Sequence, residues 1–559
     1  VQNKSELEQL KSTDIKTVEV ITSPGARYNA TVKSVIRIKT KRPQGDGLSF
    51  RADNNIKYNT YVSGFQEDYL KYRHGGFETF LDAYVYSLVN AKDAYLGDEI
   101  NGTDHILLEQ NIRIKERSNG LYGKWGASYD FDSDNSIGGS YTFTREFYDK
   151  GYALGATQDV TKNGNLIGHI DQDYTTHGLE GPNHEANAYY LGKLGNMKID
   201  LNLTALWKKD AGRKQSKEVS SQLQSQTVTT HNEQKNHLWA GKLILSYPLW
   251  KGTLNVGTEF TSTYSFGQYS NDGGVVSNSL TEVKERNMAG FAEYEFAFGN
   301  FSANAGLRYE HVKPNYYEAG IYQSGLSRRY ADWFPSLSLA WQKGKWGVQG
   351  SYVCKIARPS YNSLRNEMQY DNRYFYEGGN PYLRPERVQS VSLSGSYSWL
   401  NAEVGYEYTK DKMLWTATLY NGQDIGVSSN SNFDSHQYLY ASLTASPKFG
   451  WYQPTYELNF GCQHFETKDY SLDKNMNKPT VYFSLRNRFA LPQDFNVYVN
   501  LNHNFGSYYG VNLVKPNTNL SLQLIKQFCH KTWTVNLYVN DLLKTNSSHT
   551  YTYGNHINL

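Results

Sequence analysis

Nowhere in the 559 residues is there a run of the roughly 18 apolar residues that a helix needs to cross a lipid bilayer, and the mean hydropathy is −0.66. A helical membrane protein is excluded on that ground. Charge of one sign is missing too: 57 Lys and Arg against 54 Asp and Glu leave a net charge of +3, so nothing points to a nucleic-acid partner. Three cysteines, Cys354, Cys462 and Cys529, are too few and too scattered for a disulfide framework or a zinc site. The 14 histidines form no HxxxH or HExxH arrangement, so no metal site is expected. No Ser/His/Asp or paired-carboxylate spacing indicates an enzyme, and no cofactor is implied. The chain opens at Val1 on a polar segment with neither a charged n-region nor an apolar h-region. An export signal is read as removed or never part of this sequence.

What is abundant is aromatic: 47 Tyr, 24 Phe and 11 Trp make up 15% of the chain, with 47 Gly and only 14 Pro. Such a mix favours strands joined by turns. A membrane β-barrel is the spanning structure that tolerates so polar an average, because half of each strand faces away from lipid. From about residue 47 the sequence falls into segments with period-two alternation. Val391, Leu393, Gly395 and Tyr397 share one face against Ser390, Ser392, Ser394 and Ser396. Phe495, Val497, Val499 and Leu501 oppose Asn496, Tyr498, Asn500 and Asn502, and Trp533, Val535, Leu537 and Val539 oppose Thr534, Asn536, Tyr538 and Asn540.

A soluble sandwich also alternates, so the connections carry the distinction. Short turns near 74–76, 133–135, 195–196, 251–252, 299–300, 343–345, 400–401, 450–451, 492–494 and 529–532 take turns with longer polar connections such as 148–183, 211–226, 268–281, 360–386 and 415–435. Short turns on one side and long loops on the other are the asymmetry of an outer-membrane barrel. The expected fold class is all-β: a transmembrane antiparallel β-barrel of about 22 strands. About 21 are countable, the last over 533–545, and even strand numbers imply a missing closing strand. The expected domains are residues 1–46, a small N-terminal piece, and 47–559, the barrel.

In the N-terminal piece, Val18 to Thr22 and Val35 to Lys41 look like two strands flanking Pro24-Gly25, followed by a basic link through Arg42 and Pro43. The stretch Val18 to Tyr28, followed by Val35-Ile36-Arg37-Ile38-Lys39-Thr40-Lys41, resembles the end of the plug domain of TonB-dependent outer-membrane receptors. Arg358-Pro359-Ser360-Tyr361 and Gly379-Asn380-Pro381-Tyr382-Leu383-Arg384-Pro385-Glu386 resemble a loop motif of the same family, and Val539 to Thr545 is similar to the end of its penultimate strand. The style is most similar to the barrel subgroup common in Bacteroidetes. Departures are Lys33 and Ser34 where the family has paired glycines, and Ser23 where it has a basic residue. The resemblance implies active uptake of a large or scarce nutrient, such as a ferric siderophore, a cobalamin-like cofactor, an oligosaccharide or a peptide. It also implies a TonB energy-transducing complex as partner of the full-length protein, and a chain that lacks most of the plug and the TonB box. A surface lipoprotein is a further possible partner. A non-transporting surface binding or adhesion barrel is the first alternative, and a soluble all-β glycan-binding or hydrolytic domain the second.

Two groups of residues are singled out. The loop from Ser360 to Glu386 is expected outside the cell, where Tyr361, Tyr370, Tyr374, Phe375 and Tyr376 can stack on a ligand while Arg365 and Arg373 anchor its carboxylate or phosphate. Arg358, Pro359, Asn380, Pro381, Arg384, Pro385 and Glu386 are read as fixing the base of that loop, through proline geometry and local ion pairs. Glu19 and Arg27 are expected to meet charged groups on the barrel wall, with solvated or locally paired charges as the competing reading. The basic run Lys208, Lys209, Arg213 and Lys214 leads into an outer loop, as an anionic lipopolysaccharide contact or a solvated face. Tyr and Trp near strand ends are read as interface girdles.

Overall fold

The computed structural model describes residues 15–21, 23–41, 45–58, 60–147, 152–467, 476–530 and 532–559. The expected link through Arg42 and Pro43 lies outside the described residues. Every regular element among them is a β-strand. Twenty-seven strands belong to one antiparallel sheet, Ile15–Ile21 pairs with Val35–Thr40 in a second, and Ser507–Tyr509, Asn512–Val514 and Thr550–Thr552 form a third. Setting aside the short or outlying strands within 152–180, 321–322, 368–378, 507–514 and 550–558, 21 strands follow one another from Gly47–Tyr58 to Trp533–Val539. The chain divides into two compact units, residues 1–295 with 306–335 and 360–382, and residues 296–305 with 336–359 and 383–559.

In the first unit several strands are more than twice the ten or so residues that cross a bilayer: Phe77–Asn101, His105–Asp130, Met197–Val219 and Gln226–Leu249. Their side chains change polarity part-way along. Near the 75–76 turn, Leu81, Val85 and Trp125 lie exposed on one face, and Asp82 and Gly126 are covered on the other. Further out the exposed face carries Asp93, Arg113, Lys115 and Arg117, and the covered face carries Ile100, Ile106, Leu108 and Ile112. Below the switch the strands are dressed for lipid, above it for water. Each buried Ile or Leu of the outer part contributes about 1.5–3 kcal/mol relative to exposure.

That outer part corrects several expected loops. Within 148–183, Tyr152–Lys162 and Asn165–Glu180 form a hairpin that pairs with the outer halves of His105–Asp130 and Met197–Val219. The connections expected over 211–226 and 415–435 shrink to residues 220–225 and 420–425, because the flanking strands run on and bury every second residue. Polarity marked those segments as loops, yet Val160, Ile170, Ser216, Glu218 and Val228 alternate inward on a wall that leaves the bilayer. The 268–281 connection likewise shortens to 273–278.

In the second unit, consecutive strands from Trp346–Ala357 to Trp533–Val539 pair with their neighbours along Glu386–Tyr397, Leu400–Leu419, Gly426–Ala445, Tyr452–His464, Thr480–Leu491, Phe495–Asn504 and Asn517–Phe528. The expected faces hold: Val391 and Leu393 are each 53% exposed, and Ser351 and Ser392 bond each other at 2.8 Å on the other face. The turn expected at 400–401 falls at 398–399, where Ser398 takes a left-handed φ of 54°. The last long strand ends at Val539 rather than 545, because the Asp541 carboxylate accepts from the amides of Thr545 and Asn546 and folds that stretch into a turn. A small core of Phe433, Phe465, Met476, Tyr508, Val511 and Tyr553 ties the connections of this unit together.

Candidate functional site

Residues 24–30 do not lie free. Pro24, Ala26 and Ala30 are buried, and the segment around them is held by charged side chains of four successive strands. The Arg27 amide and Nε donate to Glu293 at 3.2 and 2.7 Å, and its guanidinium also pairs with Glu295. Lys242 Nζ donates to the Arg27 carbonyl at 2.6 Å, Asn29 Nδ2 to Glu259 at 2.9 Å, and the Ala30 amide to Glu310 at 3.4 Å. Behind them the buried Arg308 bridges Glu310 at 2.6 Å and Glu259 at 3.1 Å. Three cations and four carboxylates thus interlock, with Lys242 and Glu259 directly paired across neighbouring strands.

Such a cluster is held on by pairing, since an unpaired buried charge costs several kcal/mol. The directed contacts to residues 24–30 are hydrogen bonds and ion pairs, which water can replace, beside the small apolar surface of the buried Pro24, Ala26 and Ala30. Arg27 lies against the wall carboxylates Glu293 and Glu295. Glu19 does not: it pairs with Arg37 on the adjacent strand at 3.2 Å, and Arg37 also donates to the Tyr28 hydroxyl at 2.8 Å.

The loop residues Ser360–Tyr382 are folded onto the extended strands of the first unit. Met368–Asn372 and Phe375–Gly378 make a hairpin. Its anchor is Glu218, fully buried, which accepts from the Tyr370 hydroxyl at 2.5 Å, from Arg373 Nε at 2.7 Å, from the Arg373 amide at 3.2 Å and from Gln226 at 3.0 Å. The Tyr269 hydroxyl accepts from the Tyr370 amide at 3.2 Å. Lys214 reaches Gln369 at 3.0 Å, and Gln172 reaches the Asp371 carbonyl at 2.7 Å. That glutamine ends a buried ladder running from Asp98 through Gln110, Gln158 and Gln172 to Ser216, with successive bonds of 2.8, 3.0, 2.8 and 2.8 Å.

Burial dominates the electrostatics of this outer region. It pushes the Asp98 carboxyl up to about 6, against the opposing Gln110 bond. Burial and then Glu377 push Asp371 up to about 7. The Tyr370 hydroxyl is raised by burial and then by Glu218, and the Arg365 guanidinium is lowered by burial. Arg365 is 3% exposed and lies across Gly267, where a Cβ would stand 2.5 Å from its Nε and force the guanidinium to shift.

The structure thus separates the expected ligand residues. Tyr370, Phe375, Tyr376 and Arg365 are turned into the fold, with the Tyr370 and Tyr376 rings 5.7 Å apart. Tyr361, Arg373 and Tyr374 are half-buried. The base residues divide likewise. Asn380 bonds back within the loop, its amide to the Ser363 carbonyl at 2.7 Å and its Oδ1 to the Tyr382 amide at 3.0 Å. In the second unit, Arg384 pairs with Asp411 at 2.7 Å and exchanges two bonds with Asn432, while Glu386 accepts the Met413 amide at 2.8 Å and pairs with Lys412 at 3.3 Å. Pro385 is buried, and Arg358, Pro359 and Pro381 are half-buried.

Sequence reasoning missed Glu218, Tyr269 and the glutamine ladder because their segments were read as loops. It also missed Lys242, Glu259, Glu293, Glu295, Arg308 and Glu310. Their signal was present: ionisable residues at one parity of strands meant to cross a membrane are functional by default. Among the described residues no group of three or more His, Cys, Asp or Glu is placed to hold a metal, and Cys354, Cys462 and Cys529 are unbridged.

Comparison with known proteins bears on the fold. No curated protein matches the sequence. Among solved structures, the FrpB iron transporter from Neisseria meningitidis (F3-3 variant) is similar at 14% identity and TM-score 0.57, covering 97% of this chain and 84% of that one. The siderophore receptor PirA from Pseudomonas aeruginosa is similar at 13% identity and TM-score 0.51 over 98% and 86%. The copper transporter OprC is similar at 9% identity and TM-score 0.62 over 96% and 81%. At such identities the shared property is the fold, an outer-membrane β-barrel. The model of the outer membrane protein beta-barrel family matches residues 193–559, well over half of the sequence, and the chain belongs to that family, a strand-built protein of the bacterial outer membrane.

Proposed function

We propose that the protein is a TonB-dependent outer-membrane receptor that actively imports a large or scarce nutrient, with residues 1–46 as the end of its plug domain and 47–559 as the barrel. The observation that carries this reading is the ionic seat of residues 24–30 on Lys242, Glu259, Glu293, Glu295 and Glu310. A segment held on a membrane wall by ion pairs, with only small apolar side chains such as Ala26 and Ala30 buried beside them, is one that a pull from the periplasm can release, since exchanging ion pairs for water costs less than exposing a large packed apolar surface. In the full-length protein the TonB complex supplies that pull. The iron, siderophore and copper named for the similar structures favour a metal chelate over an oligosaccharide, a cobalamin-like cofactor or a peptide as cargo. Tyr361, Arg373 and Tyr374 are the loop residues best placed to touch it, while Tyr370, Phe375, Tyr376 and Arg365 hold the loop in shape. A surface lipoprotein partner stays compatible with this reading.

The test is uptake of a radiolabelled ferric chelate by cells expressing the full-length gene, with and without a protonophore. Energy-dependent uptake that falls at least tenfold in Arg27→Ala, with the barrel still present in the outer membrane, supports the proposal. Chelate bound at the surface but never internalised, with or without the proton-motive force, refutes it in favour of a non-transporting binder.

A further inference from the structure

The basic run Lys208, Lys209, Arg213 and Lys214 is split by the strand that carries it. Lys214 turns to the covered face and bonds Gln369, while Lys209 and Arg213 stay exposed. The register of six paired strands shows what Lys209 belongs to. Gly123, Phe143, His184, Trp207, His237 and Tyr264 are successive cross-strand partners and form one rung. The rung next towards the turns holds Trp125, Tyr141, Ala186, Ala205, Trp239 and Ser262. These rungs are aromatic, with Trp207 and Trp239 edge to face at 5.1 Å, His237 beside Tyr264 at 5.7 Å, and Tyr141 bonded to His184 at 2.6 Å. Amphipathic rings at that density mark the edge of a hydrocarbon layer.

The rung just beyond is basic. Leu121 pairs with Arg145, and Lys209 pairs with Lys235, which pairs with Phe266. Gly181 closes the gap, since its amide donates to the Lys209 carbonyl at 2.7 Å and its Cα lies against the Arg145 backbone. Arg145, Lys209 and Lys235 thus lie at one height over about 14 Å of sheet. Lys235 lies over the Phe266 ring at 5.2 Å. One residue pair further out, Glu233 holds Lys235 at 2.9 Å and Lys209 at 3.5 Å, so the single acid in this cluster orders two cations without cancelling all three.

We propose that this rung is a docking site for the phosphate of an outer-leaflet lipid, a phosphorylated glycolipid or phospholipid whose acyl chains lie on the belt below the aromatic rungs. The height decides the occupant: a lipid phosphate is fixed just above the hydrocarbon edge, where these three cations stand, and its chains satisfy the exposed Trp125, Trp239 and Leu203 nearer the turns. A free anion gains nothing from that belt. The inference rests on the outer-membrane location and is independent of which cargo is imported.

Native mass spectrometry of the detergent-purified chain tests it. The probes are phosphatidylglycerol, phosphatidylcholine, and lipid A with and without its phosphates. The wild type is expected to retain phosphatidylglycerol and intact lipid A over the other two. An Arg145→Gln, Lys209→Gln, Lys235→Gln variant is expected to retain about 100-fold less of the charged lipids, at roughly fivefold per cation. Glu233→Gln is expected to bind more tightly. Equal retention by wild type and triple variant, or equal retention of lipid A without phosphates, overturns the proposal; displacement by millimolar inorganic phosphate alone overturns its lipid half. If the triple variant fails the heat-shifted electrophoretic mobility of a folded barrel, Lys235→Gln alone decides, with a several-fold loss expected and no loss overturning it. Because binding is read on purified protein, its failure is distinct from a failure of uptake.

Discussion

Removing the Glu218 carboxylate should undock the loop 360–382 while leaving the strands beneath it folded. Glu218 is fully buried and accepts four hydrogen bonds, two of them from Arg373 and one from the Tyr370 hydroxyl. In Glu218→Ala the guanidinium loses its charge partner and the tyrosine its acceptor, and breaking such a buried pair costs about 3–5 kcal/mol. The remaining tethers, Lys214 to Gln369, Gln172 to the Asp371 carbonyl, the Tyr370 amide to the Tyr269 hydroxyl and Arg373 to the Gln224 carbonyl, are single bonds worth about 1 kcal/mol each. Even 3 kcal/mol raises the undocked population about 100-fold. Hydrogen exchange of the amides of 368–378, followed by mass spectrometry, reads that population, and trypsin cleavage after Arg373 should accelerate in parallel. The strands Met197–Val219 and Gln226–Leu249 should keep their protection, because 21 backbone partner pairs hold them together. Exchange in the hairpin unchanged within threefold refutes the anchoring role. Loss of protection throughout the unit would mean instead that Glu218 supports the wall itself.

The Asp98 carboxyl, raised to about 6 from 3.8, holds its proton in the fold more tightly than in the opened chain. The folded state therefore binds more protons between about pH 4 and pH 6, and stability is lost as pH rises through that window. Exchange of amides along the glutamine ladder, corrected for intrinsic rates, should quicken from pH 4.5 to pH 7 in the wild type and stay level in Asp98→Asn. Gly379→Ala places a Cβ 2.1 Å from the Arg365 carbonyl and should destabilise the loop by about 1–3 kcal/mol, whereas Gly290→Ala, with nothing within 4 Å, should leave thermal stability unchanged. Leu393→Arg puts a charge on the lipid-side face and should cost about 2–4 kcal/mol in denaturant unfolding from vesicles. Its neighbour Ser394→Arg, pointing the other way, should cost under about 1 kcal/mol, and equal costs would overturn the assignment of faces.

Membrane-crossing strands were legible in the sequence because one physical rule governs them. Val391 and Leu393 against Ser390 and Ser392 is a period-two pattern with lipid as the sorting solvent, and the strand Glu386–Tyr397 follows it. Short turns were legible for a similar reason: Gly195, Gly299, Gly344 and Gly450 all take left-handed φ, which a tight turn demands. Above the bilayer the sorting solvent is water on one face and protein on the other, so the apolar parity inverts within a single strand. A reader counting alternation across that point sees a polar tract and infers a loop, as over 148–183. The loop aromatics failed differently. Tyr370, Phe375 and Tyr376 have the composition of a ligand-stacking surface, but composition does not say which side of a hairpin meets the wall, and the acid that decides it, Glu218, lies some 150 residues away. For Arg27 the sequence left a wall contact and a solvated or locally paired charge side by side; its partners Glu293 and Glu295 were invisible until the strands were in register.

The inversion within single strands also fixes where the membrane ends on this molecule. In His105–Asp130, the exposed face runs Trp125, Gly123, Leu121, Asn119, then Arg117, Lys115 and Arg113, so the apolar belt stops near Leu121. Leu121 is the partner of Arg145, and Arg145 is joined through Gly181 to the level of Lys209 and Lys235. Two independent features therefore meet at one height: the loss of apolar side chains on one strand and the onset of cations on its neighbours. On the opposite face the same height is where Gly120 gives way, further out, to Ile112, Gln110 and Leu108, the start of the wall on which the loop of Tyr370 and Arg373 docks. A single boundary thus dictates three properties of the first unit, namely where lipid contact ends, where phosphate contact begins and where a second, water-facing core becomes necessary. The extended strands follow from that last need, because a loop carrying so many aromatics can be held still outside the membrane only if the wall beneath it offers the apolar and ionic partners that the bilayer does not.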